Sequence, residues 1–329
     1  MLSLDTLSRN MQEIVTPEEF KNLGDRKVKA YIGFEPSGLP HIATGFMWPK
    51  KMAEIYEMGI ETTILLADWH AMVNDKLDGD LAKIRQSGEL IKKCMQAVGL
   101  PKEVKFVWAN DVVSDPEYWK TLLLVAKNSN LARVRRALPI MGRSEEDADK
   151  DFSKYIYPLM QVTDIFHMDF DLAFGALDQR HAHMLARDIA DRMGRKKVIS
   201  VHGPLLSSLK GSGRMDSFKK MSKSDPDSAI FMSDSKEDVS RKLKSAFCPT
   251  GEIQGNPVMD IFRHVVYPYL GHDVEIHRPP GKGGDIIVAT YDELEKLYLK
   301  AMVHPMDLKS AAAESLNELM EPARHVFSS

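Results

Sequence analysis

The sequence predicts an α/β protein with a parallel sheet covered by helices on both faces, a helical insertion, and a C-terminal α-helical domain. Three observations carry this. Short apolar, β-rich runs alternate with longer helical patterns over the first two-thirds of the chain, as in a parallel sheet with crossover helices. The alternation breaks over about residues 111–151, which keep a helical pattern but carry basic charge (Arg133 to Arg143) and then acidic charge (Glu145 to Asp149). Beyond residue 235 only helical patterns are read.

Val28–Phe34 reads as the first strand. Pro36, Gly38 and Pro40 then force a turn, and a helical stretch follows from about Ala43 to Met58. Pro49 inside it predicts a kink or a late start. Thr62–Ala67 is a continuous apolar run, as in a strand buried on both faces. Gly79–Val98 is an amphipathic helix and Val104–Ala109 another strand. Leu172–Phe174 and Val198–His202 read as strands around a helix over Asp178–Met193. Residues 206–226 are rich in Ser, Gly, Lys and Asp and read as a mobile loop or linker. Ser235–Phe247, Pro257–Leu270, Tyr291–Leu299 and Asp307–Arg324 read as helices, with Asp307 as the cap of the last. The expected organisation is a Rossmann-type domain with an N-terminal arm over residues 1–204, a loop and linker over 205–234, and a helical domain over 235–329.

The chain has 329 residues, 43% hydrophobic and 28% charged, which implies a sizeable core and excludes wholesale disorder. Its two cysteines, Cys94 and Cys248, exclude a disulfide framework and fit no metal-ligand spacing. A reducing cytoplasm and no structural metal are expected. The N-terminus has no apolar h-region, so no signal peptide is read. No apolar run approaches the roughly 18 residues of a membrane span. The net charge of −3 argues against a nucleic-acid binder held by bulk charge. It leaves room for local basic patches: Lys127 with Arg133, Arg135, Arg136 and Arg143; Lys219, Lys220 and Lys223; and Arg241, Lys242 and Lys244.

Two segments carry nucleotide chemistry. The first runs from Tyr31 through Gly33, Pro36, Ser37, Gly38 and His41 to Thr44 and Gly45. Its glycines let the backbone approach a ligand, and the helix start beyond it offers free N–H groups to phosphate. His41 there is placed to donate to a phosphate oxygen; the competing reading is a polar turn with His41 as a cap. The second segment is Lys220-Met221-Ser222-Lys223-Ser224. Lysine suits pyrophosphate as a mobile point charge, although a solvated basic loop has the same composition. Their joint occurrence, one after the first strand and one after the last, points to ATP. A third group lies in a helical pattern, where Tyr157, Gln161 and Asp164 share one face at i, i+4 and i+7 among apolar neighbours. A buried polar stripe needs partners, either a polar small molecule or internal hydrogen bonds.

With these segments in hand, the chain resembles the archaeal and eukaryotic branch of the tyrosyl-tRNA synthetases, a class I family. The matching pieces are Tyr31 to Gly38, Leu65 to His70, Tyr157 to Ile165, Asp178 to Arg180, Lys220 to Ser224, Ala246 to Pro249 and His304 to Lys309. The resemblance implies that Tyr31 and Asp164 hydrogen-bond the substrate phenol. It implies that Tyr157, Gln161 and Gln179 hold its amino group, and that Leu65, Ala67 and His70 line the ring pocket. ATP would meet Gly33, His41, Lys220, Met221, Ser222, Lys223 and Ser224. His41, Thr44, Lys220 and Lys223 would be the catalytic set, and Mg²⁺ would arrive with the nucleotide. Arg136 would read the tRNA acceptor stem, and Lys282, His304 and Asp307 the anticodon. A homodimer joined through residues 111–151 is also implied. Two segments depart from the family: Ala43-Thr44 stand where the common class I signature has Gly and a second His, and Lys282 stands where relatives carry an aromatic. The alternatives are a tryptophanyl enzyme of the same architecture and a nucleotidyltransferase acting on a small metabolite. Indole offers only a donor, so Tyr31 with Asp164 favours a phenol.

Overall fold

The computed structural model describes residues 2–24, 26–142, 146, 150–211, 221 and 225–328, without the side chain of Lys282. The chain forms two compact units. One comprises Met1–Gly38, Lys51–Lys92 and Leu100–Leu205; the other comprises Leu39–Lys50, Lys93–Gly99 and Leu206–Ser329.

The first unit is built on a six-stranded sheet of β1 (Glu13–Val15), β2 (Lys29–Phe34), β3 (Glu61–Leu66), β4 (Lys105–Trp108), β5 (Leu172–Ala176) and β6 (Ile199–Gly203). Their spatial order is β1-β6-β5-β2-β3-β4. All neighbours are parallel except β1 with β6. From β2 the chain steps outward to β3 and β4, then returns to β5 on the other side of β2. The order therefore reverses between β2 and β5, and such a reversal opens a crevice at the carboxyl ends of the strands. Ile32, Ile64 and Phe174 are buried on one face, and Tyr31, Leu65 and Ala173 on the other. Burial on both faces explains why these strands read as unbroken apolar runs. The sequence reading lacks β1, because three residues are too few to display a period. Only its pairing with β6 defines it.

Five helices of this unit bear on the site: α1 (Asp68–Val73), α2 (Pro116–Asn128), α3 (Leu131–Ala137), α4 (Ser153–His167) and α5 (Arg180–Ala190). α2 begins where Asp115 caps Glu117 N and Pro116 takes the first turn. Tyr118 and Val125 of α2, Met160 and Ile165 of α4, and Leu185 and Ile189 of α5 close over Tyr31 and Leu65 in one apolar cluster.

In the second unit, His41 forms an antiparallel bridge with Phe231. Ile42 N donates to Ile230 O at 2.9 Å, and Met232 N donates to Pro40 O at 2.9 Å. The kink expected at Pro49 takes the form of a π turn over Ala43–Met47 leading into the helix Trp48–Glu57. Pro49 has no N–H for the carbonyl four residues back, and that carbonyl, Gly45 O, accepts from the Cys94 thiol at 3.7 Å. A second π turn, Phe262–Val266, likewise precedes a proline, Pro268, and splits the helix expected over 257–270. The terminal helices α6 (Lys236–Ser245) and α7 (Pro305–Met320) pack together. The expected cap is corrected: His304, not Asp307, caps α7, its side chain accepting from Met306 N. The reason is that Pro305 fits the first helical position, which moves the cap three residues earlier. A short hairpin, β7 (Val274–Ile276) with β8 (Ile286–Val288), interrupts the helices. Among the described residues no helix is long and apolar enough to cross a membrane.

Gly45 sits where a β-carbon would collide with Met232 and lie 3.2 Å from Cys94 Sγ and 3.3 Å from Pro40 Cβ. Gly45→Ala should therefore cost about 1–3 kcal/mol in urea unfolding. Adding Met232→Ala should recover part of that loss, and strictly additive losses would contradict the collision.

Candidate active site

The pocket of the first unit begins on β2. Tyr31 points to the face shared with Leu65 and Ala173, and its ring stacks on Phe170 at 4.6 Å and 9°. Gly33, two residues on, keeps the same face open, since a β-carbon there would meet nothing closer than 3.9 Å. Across from them runs α4, whose period brings Tyr157, Gln161 and Asp164 to one side as the sequence implied.

Asp164 is buried and surrounded by donors. Tyr118 Oη donates to its Oδ1 at 3.0 Å. His70 Nε2, from α1, lies 2.9 Å from its Oδ2. Burial works against the charged form of His70, but the Asp164 carboxylate beside it outweighs this and holds the His70 pKa above its ordinary value. Burial pushes the Tyr31, Tyr118 and Tyr157 phenols well up; the charge of Asp164 adds to this at Tyr31 and Tyr118, and Glu35 adds to it at Tyr157. All three therefore remain hydroxyl donors at neutral pH.

The second polar group surrounds the amides. Gln161 Nε2 donates to Gln179 Oε1 at 3.2 Å, and Gln179 Nε2 donates to Ile140 O at 3.1 Å. Asn74 Nδ2 donates to Glu35 Oε1 at 3.0 Å and to Met141 O at 3.1 Å. The Tyr157 ring meets His70 edge-on at 5.3 Å. Among the described residues, Tyr31 Oη and Gln161 Oε1 are buried with no hydrogen-bond partner. Such atoms are costly unless a ligand completes them. The pocket thus offers a carboxylate and a buried phenol hydroxyl to a polar ring, and an amide oxygen to an ammonium group.

Tyr31, Leu65, Ala67, His70, Tyr157, Gln161, Asp164 and Gln179 all belong to the first unit, where Tyr31 clusters with Leu65, His70 pairs with Asp164 and Gln161 bonds Gln179. His41, Thr44 and Met221 belong to the second. Thr44 lies in the π turn, and Met221 N donates to Leu206 O at 3.1 Å. Lys220, Ser222, Lys223 and Ser224 lie outside the described residues, as does most of the loop expected over 206–226. Arg136 is exposed on α3. His304 and Asp307 sit at the start of α7, and Lys282 lies between β7 and β8. Sequence reasoning gave no role to Tyr118, Phe170, Asn74 or Glu35. Glu35 was visible inside the first segment, whereas Tyr118 reaches Asp164 only through folding.

The family model for class I tRNA synthetases (W and Y) matches residues 23–321. A tyrosine–tRNA ligase of Picrophilus torridus is 58% identical over 98% of both chains. The chain belongs to the tyrosine–tRNA ligase family. The solved tyrosyl-tRNA synthetase of Aeropyrum pernix matches at 44% identity and a TM-score of 0.88, covering 98% of this chain and 93% of that one. The synthetase of Pyrococcus horikoshii, solved with L-tyrosine, matches at 37% identity and a TM-score of 0.91, covering 98% and 95%. The ligase family thus accounts for nearly the whole chain, and its sheet topology is the one described above.

The His70–Asp164 pair carries a pH dependence of known sign. A histidine whose folded pKa is raised contributes stability that is complete below its unfolded value near 6.5 and is lost as pH climbs through the raised value. Unfolding free energy should therefore fall more steeply from pH 6.5 upward in the native chain than in His70→Gln. Equal slopes in denaturant titrations would remove the charged pair.

Proposed function

We propose that the chain activates L-tyrosine with ATP and transfers it to tRNA(Tyr). The observation that carries this is a buried carboxylate, Asp164, near an unsatisfied phenol hydroxyl, Tyr31, in a chain whose relatives are tyrosine–tRNA ligases. Asp164 accepts from the substrate hydroxyl and Tyr31 completes the contact. Phenylalanine would leave the Tyr31 hydroxyl and the remaining acceptor capacity of Asp164 unfilled, a penalty of about 10⁴–10⁵ in selectivity at sites of this kind. Gln161, Gln179 and Tyr157 hold the ammonium group. Leu65, Ala67 and His70 bound the ring.

Activation is attack of the tyrosine carboxylate on the α-phosphorus of ATP, and pyrophosphate leaves. The nucleophile is already ionised, so positioning and charge stabilisation supply the rate. His41, Lys220 and Lys223 take the phosphate charge, Thr44 adds a hydroxyl donor, and Gly33, Met221, Ser222 and Ser224 line the nucleotide. Mg²⁺ bound to the nucleotide neutralises phosphate charge. A terminal ribose hydroxyl of the tRNA then attacks the tyrosyl carbonyl carbon of the adenylate, forming the ester as AMP leaves. Arg136 contacts the acceptor stem, while Lys282, His304 and Asp307 of the segment 235–329 contact the anticodon. Exposed Trp119, Leu123 and Leu124 on α2 support a homodimer through the insertion at 111–151. The cytoplasm, where tRNA is charged, is the compartment.

Amino-acid-dependent exchange of pyrophosphate into ATP tests the reading. Exchange should occur with tyrosine and not with tryptophan; the reverse, or no exchange at all, overturns it. Arg136→Ala should slow aminoacylation about tenfold, the worth of one charged contact, and leave tyrosine-dependent exchange near the native rate. Equal losses in both assays would count against an acceptor-stem role.

A further inference from the structure

Asp164 is held on both oxygens, and one of its holders has no assigned role. Tyr118 comes from α2, 46 residues before Asp164 in the chain. It is fully buried, and its hydroxyl donates to Asp164 Oδ1 at 3.0 Å. Its ring is fixed edge-on by Trp119 at 5.9 Å and by His167 at 5.5 Å. A carboxylate has about four acceptor sites. Tyr118 and His70 occupy one on each oxygen, so acceptor capacity remains for a ligand. The terminal torsion of an aspartate is broad and two-fold, so a buried Asp164 lacking Tyr118 would be free to rotate toward His70.

We infer that Tyr118 is a specificity-determining positioning residue. Its hydroxyl fixes the rotation of the Asp164 carboxylate so that a lone pair is presented to the phenol of the substrate. The inference deepens the proposed function and rests on its assignment of Asp164. It predicts an effect that differs between amino acids. Tyrosine uses the aligned lone pair and phenylalanine does not, so the loss falls on tyrosine alone. A general weakening of the fold would tax both equally.

Tyr118→Phe removes one oxygen and keeps the ring contacts. Pyrophosphate exchange is measured with tyrosine and with phenylalanine for the native chain, Tyr118→Phe, Asp164→Asn and the double variant, with thermal unfolding read alongside. Tyr118→Phe should lower the tyrosine-to-phenylalanine ratio of kcat/KM by about tenfold, the worth of one hydrogen bond to a charged group, with the KM for ATP unchanged. The double variant should lose no more of the ratio than Asp164→Asn alone, because Tyr118 acts through that carboxylate. A native ratio in Tyr118→Phe with a collapsed ratio in Asp164→Asn overturns the inference. So do additive losses in the double variant, or equal losses with both amino acids. A native ratio in Asp164→Asn as well removes the underlying assignment instead.

Discussion

A carboxylate buried in the first unit sets the terms for what surrounds it. An ionised group taken out of water costs several kcal/mol unless donors replace its hydration. Asp164 obtains those donors from two separate elements, α1 through His70 and α2 through Tyr118. Each donor helix must therefore hold its place for the charge to be tolerated.

The sheet supplies the space. Tyr31 lies on β2, and α4, which carries Asp164, leads into β5. β2 and β5 are the neighbours between which the strand order reverses. Gly33 keeps the β2 side open. Gly175, on β5, has no room for a side chain because Gln179 folds over it. One glycine thus leaves space above the sheet and the other lets the Gln179 side chain close down on it.

The parts legible in the sequence were those with local causes. β2, β3, β5 and β6 were legible as apolar runs because their residues are largely buried, and the stripe of Tyr157, Gln161 and Asp164 followed from helical period alone. Tyr31, Gln161, Asp164 and Gln179 stood inside motifs that the sequence already displayed. What sequence did not disclose was pairing at a distance. β1 exists only through β6. Tyr118 sits in a segment read as a helical insertion, with nothing in its neighbours to connect it to Asp164. The cap of α7 was misread by three residues because Pro305, rather than an acidic side chain, fixes where that helix begins.

The bridge between His41 and Phe231 has a practical bearing on how this chain is divided. The second unit is spliced from three stretches, two of them taken from early in the sequence. A cut near residue 205 would not release it. One fragment would keep His41, Gly45 and Cys94, while the other would keep Phe231 and Met232, each an edge or a plug without its counterpart. Expression of the two halves apart would expose apolar surface on both. His41 belongs with the C-terminal half in space, although it is written into the N-terminal half in sequence.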